Sequence, residues 1–278
     1  MKPISAIACL LLVAGTAQSA EKTLDRTFTV SPGGALVVDA DSASVKVSGG
    51  DTNTVTVHMV AHGSDSDLAN MTLDASQKDN DVTVVMRRGK QGWFWHWSDG
   101  EGQIQVTVPR QIQIDVRTGG GSVELKDTSG SASLRTSGGE VTAKNVTGNV
   151  EARTSGGGIL VDTLRGDIEA NTSGGDVRLL NVDGKIRGET SGGSVRCSLV
   201  GSNRGIWAST SGGDIQLSLP KTTTADFEAT TSGGEFSLEL PVTATILKEG
   251  HVKGTINGGG QPIEVRTSGG NISVRAAN

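Results

Sequence analysis

A tetrapeptide recurs along this chain with a spacing too regular for chance. TGGG begins at Thr118, and TSGG begins at Thr136, Thr154, Thr172, Thr190, Thr210, Thr231 and Thr267, with NGGG at Asn257. The first four intervals are 18 residues each, and the next two are 20 and 21. Between the glycines, apolar residues return at fixed offsets. Val141, Ala143, Val146, Val150 and Ala152 in one unit match Ile159, Val161, Leu164, Ile168 and Ala170 in the next. Val177, Leu179, Val182, Ile186 and Gly188 follow, then Val195, Cys197, Val200, Ile206 and Ala208. Spacing of two within each half-unit is the strand period, and the residues are mostly β-branched.

A unit this short cannot bury its apolar side alone, so each must stack on its neighbours. The pattern predicts an all-β chain, a right-handed single-stranded parallel β-helix (β-solenoid) with about 18 residues per coil. About eight coils at ~4.8 Å each would make a rod of roughly 40 Å. A left-handed hexapeptide helix is ruled out, because stepping by six from Val141 lands on Thr147 and Arg153. A calcium-binding β-roll is disfavoured, because the residues after the glycine pairs are Glu140, Gly158, Asp176, Ser194, Asp214 and Glu235, with no following GxD. The corner glycines are Gly138, Gly139, Gly156, Gly157, Gly174, Gly175, Gly192, Gly193, Gly212, Gly213, Gly233 and Gly234. They are expected to supply φ > 0 conformations that a side chain would obstruct. The Thr and Ser before them are expected to stack as hydroxyl ladders that satisfy corner backbone groups.

Three segments result. Residues 1–20 read as a signal peptide, with Lys2 before an apolar run from Ile4 to Ala14 and small residues at the end. Residues 21–117 read as irregular β structure capping the rod, with a turn of helix at Leu68 to Met71. Residues 118–278 read as the solenoid. The run at the start is too short to span a bilayer, and no later stretch is long enough. The chain is therefore expected to be exported, periplasmic or secreted, with no transmembrane segment once processed. With 25 Lys and Arg against 30 Asp and Glu, its net charge is −5, which excludes a strongly basic nucleic-acid binder.

The order of features resembles the bacterial putative-adhesin family of exported and envelope proteins. The residues that carry the resemblance are FTVSPGGALVVDADSASVKVSGGD, VTVPRQIQIDVRTGGGSVEL and the TSGG-x-V/I units from Thr136 onward. Bactofilins and autotransporter-adhesin head domains share such stacked short strands. The resemblance implies adhesion, and no catalytic residue comes with it.

Nothing in the sequence assembles a catalytic, cofactor or metal site. His58 and His62 share a strand face, but the HExxH glutamate is missing and the segment is no helix. Outward columns mix signs: Glu151, Glu169 and Arg187 in one, Arg153, Asn171 and Glu189 in another. Cys197 falls at an inward offset and reads as a small buried hydrophobe. The clearest departure is GKQGWFWHWSDGEG, where Trp93, Phe94, Trp95 and Trp97 cluster in a chain that is only 3% aromatic. This loop either plugs the solenoid or presents an aromatic patch to a glycan, partner or membrane interface. The reading is a non-enzymatic envelope protein that offers a β-solenoid surface to an unknown envelope protein or glycan. A self-assembling, bactofilin-like scaffold with end-to-end association is the rival, and a polysaccharide-active β-helix enzyme comes third.

Overall fold

A computed structural model describes residues 20–89 and 102–277. The leader and the Trp93, Phe94, Trp95, Trp97 cluster lie outside the described residues. The N-terminal elements are β1 (Ala20–Thr29), β2 (Ala35–Ala40), β3 (Ala43–Gly50), β4 (Thr54–Gly63), α1 (Asp65–Ala69), β5 (Met71–Lys78), β6 (Asp81–Arg88) and β7 (Gly102–Pro109). The regular part holds β8 (Gln113–Thr118), β9 (Val123–Ser129), β10 (Ala132–Thr136), β11 (Val141–Thr147), β12 (Val150–Arg153) and β13 (Ile159–Arg165). It continues through β14 (Ile168–Asn171), β15 (Val177–Asp183), β16 (Ile186–Glu189), β17 (Val195–Leu199), β18 (Ile206–Thr210) and β19 (Ile215–Leu219). The chain closes with β20 (Ala225–Thr231), β21 (Phe236–Leu238), β22 (Val242–Lys248), β23 (His251–Ile256), β24 (Pro262–Thr267) and β25 (Ile272–Ala276).

These strands form two facing sheets. Sheet A has the order β1-β4-β7-β3-β9-β11-β13-β15-β17-β19-β25-β21, and sheet B the order β22-β23-β20-β24-β18-β16-β14-β12-β10-β8-β2-β6-β5. Each coil contributes one strand to B and the next strand to A, and from β8 onward the two are joined through a glycine corner. Ten coils stack in parallel, a length of ~45 Å at the spacing of paired strands. That exceeds the eight expected, because β2–β3 and β6–β7 join the ladder as full coils.

Chain order and stacking order part company at both ends. The first coil traced, β2–β3, lies second, between β6–β7 and β8–β9. The last coil traced, β24–β25, lies between β18–β19 and β20–β21, with Ile263 opposite both Ile206 and Phe227. A strand paired on both edges cannot fray as a free terminal strand would.

The predicted inward offsets form the core: Val141, Ala143, Val146, Val150 and Ala152 are all buried. Each fully buried aliphatic side chain of Val or Leu size is worth about 1.5–3 kcal/mol. The three-residue step from Ala143 to Val146 has a local cause. Asn145 is left-handed (φ 54°), as are Asp127, Thr163 and Asn181 one coil apart, and this extra residue returns Val146 to the interior. Two expected placements are corrected. Val200 is exposed, because a register shift after Leu179 puts Leu199 opposite Val182 instead. The helix is α1, ahead of the expected Leu68 to Met71, because Ser64 caps it by accepting from the Asp67 amide at 3.2 Å.

The TSGG corners are also corrected in mechanism. None of their twelve glycines, from Gly138 to Gly234, has φ in the left-handed region. Glycine is demanded instead by close stacking. A Cβ on the second glycine of each pair would penetrate the backbone of the adjacent coil, whereas one on the first would come no closer than 3.0 Å. Positive φ belongs to the opposite corner, at Gly130, Gly148 and Gly166 (139°, 132° and 149°). The Thr ladder is present: Thr136, Thr154, Thr172 and Thr190 each donate a 2.8 Å hydrogen bond to a glycine carbonyl one coil away.

Candidate functional site

Strand alternation aims every second residue of sheet B outward, and the parallel register turns those residues into columns along the rod. One column runs Val37, Asp115, Ser133, Glu151, Glu169, Arg187, Trp207. Beside it run Asp39, Arg117, Arg135, Arg153, Asn171 and Glu189. The columns read from the repeat are therefore brought together as expected.

Between the first column and the residues that precede each strand lies a groove of about 640 Å³. It crosses six consecutive coils, from Ala35 to Arg187, or ~24 Å. Its floor is apolar, with Ile114, Ala132, Val150 and Ile168 in line. Gln113, Ser131, Asn149, Asp167 and Lys185 form one rim. Ser131, Ala132 and Ser133 supply little side-chain bulk at β10, where the Ser133 hydroxyl is buried without a hydrogen-bond partner.

The other rim is a chain of ion pairs. Arg117 donates to Asp115 at 2.9 Å, Arg135 to Glu151 at 2.6 Å, and Arg153 to Glu151 at 2.6 Å and Glu169 at 3.1 Å. These groups are roughly a third to three-fifths exposed, so each pair is worth at most about 1 kcal/mol. They orient the side chains more than they stabilise the rod. Past the groove, Trp207 faces outward between Arg187 and Arg266, whose guanidinium carbons lie 5.4 and 5.1 Å from the ring centroid. Both arginines also pair with glutamates, at Glu189 and Glu264.

The remaining candidates do not converge on this face. His58 pairs with Asp25 at 2.7 Å on β4, opposite β1. His251 lies 3.3 Å from Glu228, whose carboxyl is held below its ordinary range chiefly by a hydrogen bond from Lys253. Among the described residues no group of His, Cys, Asp and Glu could hold a metal ion. Cys197 is buried in the interior column after Leu179, and burial pushes its thiol pKa up to about 12. No His or Cys lines the groove, and its carboxylates are occupied: Asp115, Glu151 and Glu169 by arginines, Asp167 by the Lys185 amide at 2.9 Å. Such a surface can bind through an apolar floor and a hydrogen-bonding rim. The groove was missed in the sequence, where its one signal is the run of small residues from Gly130 to Ser133.

The Toastrack DUF4097 family model matches residues 34–275. Similar solved structures include a "putative adhesin" from Bacteroides fragilis, 12% identical over 91% of this chain and 97% of that one, with a TM-score of 0.49. Another is a "putative lipid binding protein" from Parabacteroides distasonis, 12% identical over 92% and 97%, with a TM-score of 0.44. A "putative cell adhesion protein" from Clostridium sporogenes is 14% identical over 92% and 100%, with a TM-score of 0.27. No curated protein matches the chain.

Proposed function

The chain belongs to the Toastrack DUF4097 family, and on that premise we propose that it is a non-enzymatic, exported envelope protein that binds an extended envelope glycan or protein segment along sheet B. The observation that carries this reading is the groove itself: an apolar floor that runs over five coils from Leu36 to Ile168, flanked by polar side chains on each coil from Gln113 to Arg187. Its size suits ligand binding. Regular spacing favours a ligand that is itself extended and repetitive. The signal-like first twenty residues support export to the periplasm or beyond. Among the described residues no helix is long and apolar enough to cross a membrane. Catalysis finds no support, since the groove's carboxylates are engaged by arginines or backbone.

The filament reading requires two open ends. The N-terminal end is covered: Lys22 on β1 donates to the carbonyls of Leu68 and Met71 at 3.1 and 2.6 Å, and Gln77 on β5 donates to the Thr29 carbonyl at 2.8 Å.

The test is co-sedimentation of the purified chain with isolated peptidoglycan and with envelope polysaccharide, beside a Ser133→Trp variant that fills the groove at its least bulky point. Saturable binding by the parent chain, lost in a variant with an unchanged melting temperature, is the expected result. Binding that survives Ser133→Trp removes the groove from the account. No binding to either material removes the glycan reading.

A further inference from the structure

Four strands form the outer edges of the two sheets, and three of them are guarded. β1 carries Glu21, Lys22, Asp25 and Arg26, and it lies against β5 at the covered end. β5 carries Asp74 and Lys78. β21 is three residues long, with Glu235 and Glu239 on either side. Charges, cover and shortness are the means by which proteins keep a row of free amides and carbonyls from recruiting another strand.

β22 is seven residues long, and its only charge is Lys248 at its C-terminal end. Val242–Leu247 contains no charge, none of the seven residues of β22 is buried, and Leu247 is 77% exposed. One edge of β22 pairs with β23, and no strand among the described residues pairs with the other. The bulge between Ala244 and Ile246 is tied on the β23 side, where Thr245 Oγ1 donates to the Lys253 carbonyl at 3.2 Å. That contact holds the inner ladder and leaves the outer row unclaimed. A hydrogen-bonding row accepts only an extended strand, which fixes the shape of the partner.

We propose that β22 pairs with β22 of a second copy, antiparallel about a two-fold axis, and joins two rods through their C-terminal ends. Self-pairing in this sense opposes no like charges, because the single charged residue, Lys248, lies at one end of the strand and its counterpart lies at the other. The contact is isologous and therefore closes at two. The covered N-terminal end stops further growth. Binding along the groove and pairing at β22 involve different surfaces, so each stands or falls alone.

Sedimentation velocity of the full chain from low to high micromolar concentration tests this, beside a Thr243→Lys/Leu247→Lys variant. Both positions are exposed, so the fold is expected to survive, and melting temperature checks it. The expected result is a reversible monomer–dimer equilibrium, weakened at least tenfold in the variant, with amide exchange at Thr243 to Leu247 slowed only in the parent dimer. A chain monomeric throughout overturns the proposal, as does a dimer indifferent to the two lysines or growth past the dimer. Should the parent remain monomeric and protect β22 only when an unrelated extended peptide is added, the edge belongs to another partner and the self-pairing is refuted. Were the variant to melt early, competition by the free peptide VTATILK decides: dissociation of the parent dimer supports the pairing, and no effect overturns it.

Discussion

A Cβ placed on Gly157 would lie inside the van der Waals shell of the Gly139 carbonyl oxygen, one coil away. Its chain neighbour Gly156 has room, with the nearest atom 3.4 Å from the same hypothetical methyl group. Two adjacent glycines of one motif therefore answer to different constraints. Gly157→Ala forces two coils apart and should cost about 3 kcal/mol, a fall of roughly 10 °C in melting temperature at ~2–4 °C per kcal/mol. Gly156→Ala should stay within ~1 kcal/mol, because an alanine there also restricts the unfolded chain. Thermal melts of the two variants check this, and equal losses would refute the stacking argument.

The repeat made the middle of the rod legible because one rule, an inward residue at matching offsets, operates in every coil. Val141, Ile159 and Val177 could be aligned by eye, and the structure pairs them in that register. The ends were not legible for a reason of the same kind. Placing β24–β25 beneath β20–β21 depends on a hairpin, β22–β23, that lets the chain double back, and no local pattern distinguishes insertion from addition on top. The groove was hidden too, since it is lined by residues from six coils, Ser131 to Ser133 among them, and no motif marks it.

Thr128 and Thr154 are both buried, yet their hydroxyls have opposite circumstances. Thr154 donates to Gly139 at 2.8 Å and accepts from the Gly157 amide at 3.3 Å. Thr128 occupies the interior column of Val146, Leu164 and Val182, and its hydroxyl has no partner. Valine should therefore stabilise at one site and destabilise at the other. Thr128→Val is expected to gain about 1–2 kcal/mol and Thr154→Val to lose about 1–3 kcal/mol, the cost of stranding buried backbone groups. Denaturant titration reads both, and a shared sign would be inconsistent with the hydrogen-bond assignment.

Thr163 holds a left-handed backbone (φ 62°) in a column whose other members are Asp127, Asn145 and Asn181. A β-branched side chain tolerates that region poorly, whereas Asn enters it readily. Asn181 Nδ2 donates to Asp162 at 2.9 Å and Asn145 Nδ2 to Asp127 at 3.0 Å, so an amide at 163 joins an existing polar row. Thr163→Asn should raise stability by ~1 kcal/mol, seen as a melting temperature higher by ~2–4 °C. A fall would mean that the Thr163 hydroxyl, which donates to Asp162 at 3.1 Å, matters more than backbone strain.

Cys197 couples the interior to alkaline pH. Burial raises its thiol pKa from 9.0 to about 12, so between those values the folded chain keeps a proton that the unfolded chain has released. Stability contributed by this group is complete below pH 9 and declines as pH rises toward 12. The column that holds Cys197 accepts Val161 two coils earlier and Leu217 one coil later, so Cys197→Val fits without a cavity. Melting curves taken from pH 8 to 11 should fall more steeply for the parent than for Cys197→Val. In the same range the native thiol should resist a disulfide reagent until the chain unfolds. Parallel pH slopes together with rapid labelling of the folded protein would place the sulfur at the surface and contradict the interior column.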